Sequence, residues 1–408
     1  MKAPLLLKSR RGQAGVMAAF LLFPLIAMAG LGIDLGRMFV VRAELVKAVD
    51  GGALAGARVL PMGQETAELA ANAFAEMNFP IGFMGVDSRG FDVQFSQDPN
   101  EARIEVAGTA LMPTTLIKIV GIDEITVNAV AEAQRRPLEL SLVLDTSGSL
   151  DPVNAGIDAI GYLRTASRQF VNYFDDTMDA MALTRFASGR IVYYSLASNF
   201  RTPIRNAIAT FIAEGGTTAH DAVVAGHAEV EDPLRPGAFR CMVFFTDGRP
   251  TSFRDIWSIS GSNVDGVIGG MQDPADDPPD YLYSPFQMAT PLYSYPTPPG
   301  WTTAMILAES WQRTLDAGSD ARDDGITIFT IGLGNPNAGP IAQPDPGLLV
   351  ALANVETAEN PLNPGSPIIN GYYDPTQPKG EFYFAPDATE LAIVFQRVAQ
   401  EITVRLTR

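Results

Sequence analysis

Leu140-Ser141-Leu142-Val143-Leu144-Asp145-Thr146-Ser147-Gly148-Ser149 turns from aliphatic to polar within one residue. The short apolar run reads as a strand buried on both faces. The Asp and the hydroxyls then stand at its carboxyl end. Outward from this point, apolar spacing predicts a helix over 157–174, carried by Ile160, Leu163, Phe170 and Phe174. Ala180–Phe186 and Arg190–Leu196 read as strands joined by a Ser188-Gly189 turn. Helices are expected over 204–213 and 220–230, a strand over 242–246 and a helix over 304–315. A strand over 326–331 and a final helix over 388–403 complete the series. This alternation predicts an α/β fold with a doubly wound, mainly parallel sheet.

Two more polar pieces fall at element ends. Gly215-Gly216-Thr217-Thr218 precedes a predicted helix, and Phe245-Thr246-Asp247-Gly248 ends a predicted strand. In an open parallel sheet the carboxyl ends of the strands form one rim, where ligands bind. Every candidate side chain there offers oxygen. No paired His or Cys favours zinc, and hard oxygen donors suit Mg²⁺, Mn²⁺ or Ca²⁺. Only Asp145 and Asp247 carry charge, so a bound cation keeps positive character and a position for water or an incoming carboxylate.

The three pieces, in this order, resemble the metal-ion-dependent adhesion site of von Willebrand factor A-type (VWA) domains, which are Rossmann-like. The resemblance spans residues 138–408, including Ala385-Pro386-Asp387 before the last helix. It implies Ser147 and Ser149 as direct ligands and Thr217 as the next, directly or through water. Asp145 and Asp247 would hold coordinating waters, with Thr218 the substitute if the loop is shifted by one. It also implies a protein partner that presents a carboxylate. The stretch Thr251–Thr303 exceeds a minimal domain of this kind, so its role is not inherited.

At the other end of the chain, Lys2, Lys8, Arg10 and Arg11 precede a charge-free run from Gly12 to Ile33. Its length matches the roughly 20 residues that a membrane helix needs. Basic residues ahead of it predict a cytoplasmic N-terminus and an exported body, although Arg37 and Arg42 follow the run. Ala27-Met28-Ala29 offers the alternative of a cleaved signal peptide. A retained anchor is favoured because the helical pattern continues from Gly36 to Leu60, without proline until Pro61.

Arg11-Gly12-Gln13-Ala14-Gly15, Gly32-Ile33-Asp34-Leu35-Gly36-Arg37 and Asp50-Gly51-Gly52-Ala53-Leu54-Ala55-Gly56-Ala57 together resemble the start of TadG-type proteins of the Tad (tight adherence) pilus machinery. That resemblance implies an anchor, a pilin-like helical stem and an exported head. Pilins cut by prepilin peptidase carry an early Glu, whereas the first Glu here is Glu44.

The expected organisation is an anchor and stem over 1–60, a small α+β pilin-like module over 61–137 and a VWA domain over 138–408 with an insert at 251–303. The module rests on a helix over 65–78 and strands at 91–95, 102–106 and 125–127. Pro113-Thr114-Thr115-Leu116 also fits the TadG-type pattern.

A net charge of −17 argues against nucleic acid as a partner, since phosphate binding needs clustered Lys and Arg. Cys241 is the only cysteine, which excludes an intrachain disulfide, and its apolar neighbours predict a buried thiol. Asp273, Asp276, Asp277 and Asp280 read as a solvated acidic loop, without the spacing of a dedicated Ca²⁺ loop. Tyr281, Tyr283, Phe286, Tyr293, Tyr295 and Trp301 suit either a binding surface or packing of the insert.

The leading functional expectation is a non-enzymatic, membrane-anchored binding protein of pilus assembly or surface adhesion. It places the chain in the inner membrane, with the body in the periplasm or at the cell surface. A structural pilin-like subunit is the alternative. A hydrolase would need Ser147 or Ser149 as nucleophile with His220 as base, and neither serine sits in a Gly-x-Ser-x-Gly elbow. His220 and His227, seven apart, are expected to be ordinary helix residues.

Overall fold

The computed structural model describes residues 11–96, 102–269, 281–334 and 343–406. The acidic patch at 273–280 lies outside them. The chain divides into two compact units, one reaching Arg135 and the other beginning at Arg136.

In the first unit, α1 (Arg11–Val59) is followed by α2 (Gln64–Asn78) and by strands β1 (Ser88–Phe95), β2 (Ala102–Pro113) and β3 (Glu124–Arg135). The strands form an antiparallel sheet in the order β1-β2-β3. Val41, Leu45, Ala48, Val49, Ala53 and Ala57 recur at helical spacing and bury one stripe of α1. That stripe packs on the Ile104, Val106 and Val127 face of the sheet. Small residues allow a close approach to α2, and a Cβ on Gly52 would lie 2.9 Å from the Ala71 carbonyl oxygen.

The second unit begins with β4 (Leu138–Asp145), α3 (Pro152–Ala155), α4 (Ala159–Phe170), β5 (Ala180–Phe186) and β6 (Arg190–Ala197). It continues through α5 (Arg201–Ala209), α6 (Ala219–Ala228) and β7 (Phe239–Thr246). Four strands follow: β8 (Ser252–Ile259), β9 (Ser262–Gly269), β10 (Tyr281–Tyr283) and β11 (Pro291–Pro296). The rest is α7 (Thr303–Asp323), β12 (Thr327–Leu333), α8 (Pro346–Leu352), β13 (Thr357–Ala358), β14 (Ile368–Ile369), β15 (Glu381–Ala385) and α9 (Leu391–Leu406).

Its main sheet has the order β15-β12-β7-β4-β5-β6. Five strands are parallel, and the edge strand β6 is antiparallel to β5. The sheet is therefore mixed, mainly parallel with one antiparallel edge strand. The cause is the Ser188-Gly189 connection, which is far too short for a parallel crossover. Leu140, Leu142 and Leu144 pack in one cluster with Phe170, Ile204 and Val398. Val143, Met242 and Phe244 pack in another with Val223, Leu315 and Leu352. Successive residues of β4 thus bury opposite ways, as a strand covered on both faces requires.

The insert at 251–303 has a sheet of its own. Its described residues form an antiparallel sheet in the order β11-β10-β9-β8. Phe253, Trp257, Val264, Ile268 and Leu282 cover Ile306 of α7, with Trp301 alongside. Tyr293 remains 71% exposed and meets Tyr281 edge-on at 5.4 Å. The aromatic set is therefore divided between packing and surface.

Candidate metal centre

The order of the main sheet reverses between β4 and β7. From β4 the chain proceeds to β5 and β6 on one side, and from β7 to β12 and β15 on the other. At such a switch point the loops leaving neighbouring strands part and open a crevice at the carboxyl ends. Asp145 ends β4, and Asp247 follows directly on β7.

Five of the sequence-predicted residues come together there. Ser147 Oγ donates to Asp247 Oδ1 at 3.2 Å, and Ser149 Oγ donates to the same oxygen at 2.8 Å. The two serine hydroxyls are 3.1 Å apart. The Ser147 N–H donates to Asp145 Oδ1 at 2.7 Å, which tightens the turn after β4. Thr246 Oγ1 donates to Asp145 Oδ2 at 2.5 Å. Thr217 exchanges backbone-level bonds with Thr251: its N–H donates to Thr251 Oγ1, and its carbonyl accepts from the Thr251 N–H, both at 3.0 Å. Its Oγ1 lies against Gly248, 3.6 Å from where a Cβ would stand there. Gly148 N–H donates to the Gly215 carbonyl at 3.0 Å, joining the first and second loops. Gly215 needs its missing side chain, with φ +76° and a notional Cβ 2.4 Å from the Met288 carbonyl oxygen.

Thr218 is turned elsewhere. Its hydroxyl is fully buried, donates to the Ser188 carbonyl at 2.6 Å and shares a 2.7 Å bond with Ser252 Oγ. The histidines do not join the site either. His227 Nε2 lies 2.8 Å from Asp324, while burial pushes the His220 pKa down and leaves its Nδ1 without a partner among the described residues. Cys241 is buried, and burial pushes its thiol pKa up.

The electrostatics single out the carboxylates. Asp145 is fully buried and Asp247 is 6% exposed. Burial raises both pKa values, and the Asp247 charge raises that of Asp145 further. Arg185 and Arg190 are committed elsewhere, Arg185 to Glu214 at 2.9 Å and Arg190 to Asp221 at 3.2 Å. Two buried carboxylates without a cation are costly, because each has lost water and repels the other. The Ser147 and Ser149 hydroxyls bound to Asp247 make an all-oxygen donor set, with the Thr217 hydroxyl near Gly248, and such a set fits a hard divalent ion. No cluster of three or more His, Cys, Asp or Glu exists among the described residues, so any ion here relies on hydroxyls.

Sequence reasoning missed Arg185. This residue is buried in β5, where Nε donates to Thr146 Oγ1 at 2.7 Å. Nη2 donates to the Ile212 carbonyl at 2.6 Å and to Glu214 at 2.9 Å. Its guanidinium also stacks 5.2 Å from the Phe211 ring. Arg185 thereby ties the Asp145–Ser149 loop to the segment leading into Gly215. The available signal was a single charge inside the apolar run Ala180-Met181-Ala182-Leu183-Thr184-Arg185-Phe186.

Residues 12–59 match the family described as "Putative Flp pilus-assembly TadE/G-like". This segment coincides with most of α1, the one described helix long and apolar enough to cross a membrane. No curated protein matches the chain. Among solved structures, the PilB minor pilin from Streptococcus sanguinis is 15% identical, with 78% of each chain covered and a TM-score of 0.46. The vWF domain of the type V pili tip protein Mfa5 from Porphyromonas gingivalis is 13% identical, covering 67% of this chain and 97% of that one, with a TM-score of 0.44. A von Willebrand factor type A protein from Catenulispora acidiphila is 15% identical, covering 79% of this chain and 50% of that one, with a TM-score of 0.36.

Proposed function

We propose that this chain is a membrane-anchored component of a Tad pilus system whose second unit is a VWA-type, doubly wound domain. In this reading it binds a divalent cation and, through the cation, a protein partner. The observation that carries it is the pair of buried carboxylates, Asp145 and Asp247, gathered with the hydroxyls of Ser147 and Ser149 at the carboxyl ends of β4 and β7, with Thr217 alongside. The TadE/G-like match over 12–59 supplies the pilus context, and the apolar helix supplies the anchor. The body then lies in the periplasm or at the cell surface, and the anchored chain stays in the inner membrane.

Within this site the two Asp supply negative charge, and Ser147, Ser149 and Thr217 supply neutral oxygens. The bound cation, Mg²⁺, Mn²⁺ or Ca²⁺, supplies Lewis acidity and a coordination position for a partner's carboxylate. Burial keeps competing water away and strengthens the attraction. The role is binding rather than catalysis, since both serine hydroxyls engage Asp247 and not His220.

Calorimetric titration of the three cations into the full chain in detergent tests this reading, beside Asp145→Ala. Saturable binding by the parent that disappears in the variant is the expected result. A folded parent that binds none of the three overturns it.

A further inference from the structure

While Leu31, Ile33, Phe39 and Val40 stay 46–63% exposed on the rest of α1, one face of the helix changes its surroundings at Gly30. Before it, Phe20, Leu21, Leu25 and Met28 are 64–78% exposed. At Gly30 the helix meets Leu116, and an added Cβ would lie 2.5 Å from Leu116 Cβ. One turn later Asp34, fully buried, accepts the N–H groups of Thr115, Leu116 and Ile117 at 2.8–2.9 Å. Arg37 follows, donating to the Met84 carbonyl at 2.7 Å and to Thr115 Oγ1. Two loops, 80–85 and 115–122, are thus pinned to the same turn of α1.

These loops present apolar side chains outward. Ile81 is 67% exposed, Met84 42%, Ile119 55% and Ile122 49%. Scattered single cases need no explanation, but a group gathered around one helix turn marks an interaction surface. Lys118 is exposed among them, with Asp123 where the second loop rejoins the sheet. The length of α1 identifies what this surface meets. From Gly12 to Gly30 the helix rises about 28 Å, close to the roughly 30 Å hydrocarbon core of a bilayer. The Asp34–Arg37 turn then falls at the edge of that core, and the two loops fall with it.

We propose that loops 80–85 and 115–122 form a collar seated on the bilayer surface, with Ile81, Met84, Ile119 and Ile122 immersed at the lipid interface. The collar rests on the reading of α1 as a membrane anchor. Asp34 and Arg37 stop the helix from sliding deeper, because both are bound to the folded loops. The first unit is held upright on the membrane by the collar as well as by the helix.

Cysteine labelling of the full chain in phosphatidylcholine vesicles tests this, with and without brominated phosphatidylcholine. Cys241 is fully buried, so a thiol-reactive environment-sensitive dye reports introduced cysteines. Dye at Ile119→Cys and Ile81→Cys is expected to shift to the blue and lose emission to the bromolipid, as dye at Phe20→Cys does. Dye at Met62→Cys, exposed just past the end of α1 and roughly 40 Å beyond the Asp34–Arg37 turn, is expected to emit as in water. Loop dyes that behave like Met62→Cys while Phe20→Cys is quenched overturn the collar alone. A Phe20→Cys dye that escapes quenching overturns the anchor and the collar together. A blue shift that depends on protein concentration without bromine quenching assigns the surface to a second copy and overturns the lipid reading.

Discussion

The chain buries aspartates in two contrasting ways. Asp34, in the first unit, is saturated by three backbone N–H groups and Arg37, within one small cluster of α1 and the loop at 113–117. Asp145 and Asp247, in the second, receive hydroxyls and one amide, with no ion pair to a side chain among the described residues. A carboxylate whose lone pairs and charge are both satisfied by its own chain is structural. A pair that shares hydroxyls and repels across a buried gap is stabilised only when something positive arrives. Burial alone does not tell the two apart, and the identity of the partners does.

Asp34→Ala should break this comparison most strongly. It leaves the three amides of residues 115–117 without their acceptor, at a cost of about 1–3 kcal/mol each, while Arg37 keeps the Met84 carbonyl and Thr115. Thermal melting and hydrogen exchange of the full chain in detergent should show loss of protection at 113–117. Metal affinity of the second unit should stay unchanged, and a parallel loss of it would mean that the two aspartate sites are not independent.

Arg185→Met comes next. It frees the loop that carries Ser147 and Ser149 without touching a donor, and changes to such supporting partners cost about 10–100-fold in metal affinity. Calorimetry should find weaker binding with little change in stoichiometry. Arg185→Lys should recover part of the affinity, because a cation can still reach Ile212 or Glu214. Equal affinity in all three proteins would reduce Arg185 to a packing role.

The smallest effect is a pH trend. Burial raises the folded-state pKa of Asp145 and Asp247, so the metal-free fold holds protons that the unfolded chain has released. Their contribution to stability is complete below the unfolded value of about 3.9 and is lost as pH rises through the raised folded values. Melts of the metal-free chain should therefore show this contribution declining with rising pH. Saturating cation should flatten the trend, since it competes with those protons. A trend that is identical with and without metal would separate the carboxylates from the ion.

Much of the candidate site's geometry was legible from local pattern. Asp145, Ser147, Ser149 and Asp247 follow strands whose apolar runs are unambiguous, and a strand's end fixes where its next side chains stand. The antiparallel direction of β6 was also implicit, in the three-residue connection 187–189. The insert was not legible, because Gly, Pro and Tyr at 251–303 mask strands that depend on each other and on α7 for burial.

By itself the sequence determined the long apolar helix, the alternation of elements and the oxygen-rich composition of the rim, since each rests on composition or on periodicity over a few residues. Tertiary structure decided which threonine turns inward, how Arg185 joins two loops, and that Asp34 binds amides 81–83 residues away. Those outcomes depend on hydrogen bonds between segments distant in the chain. No local pattern encodes such bonds, because the partner becomes a neighbour only once the core has closed.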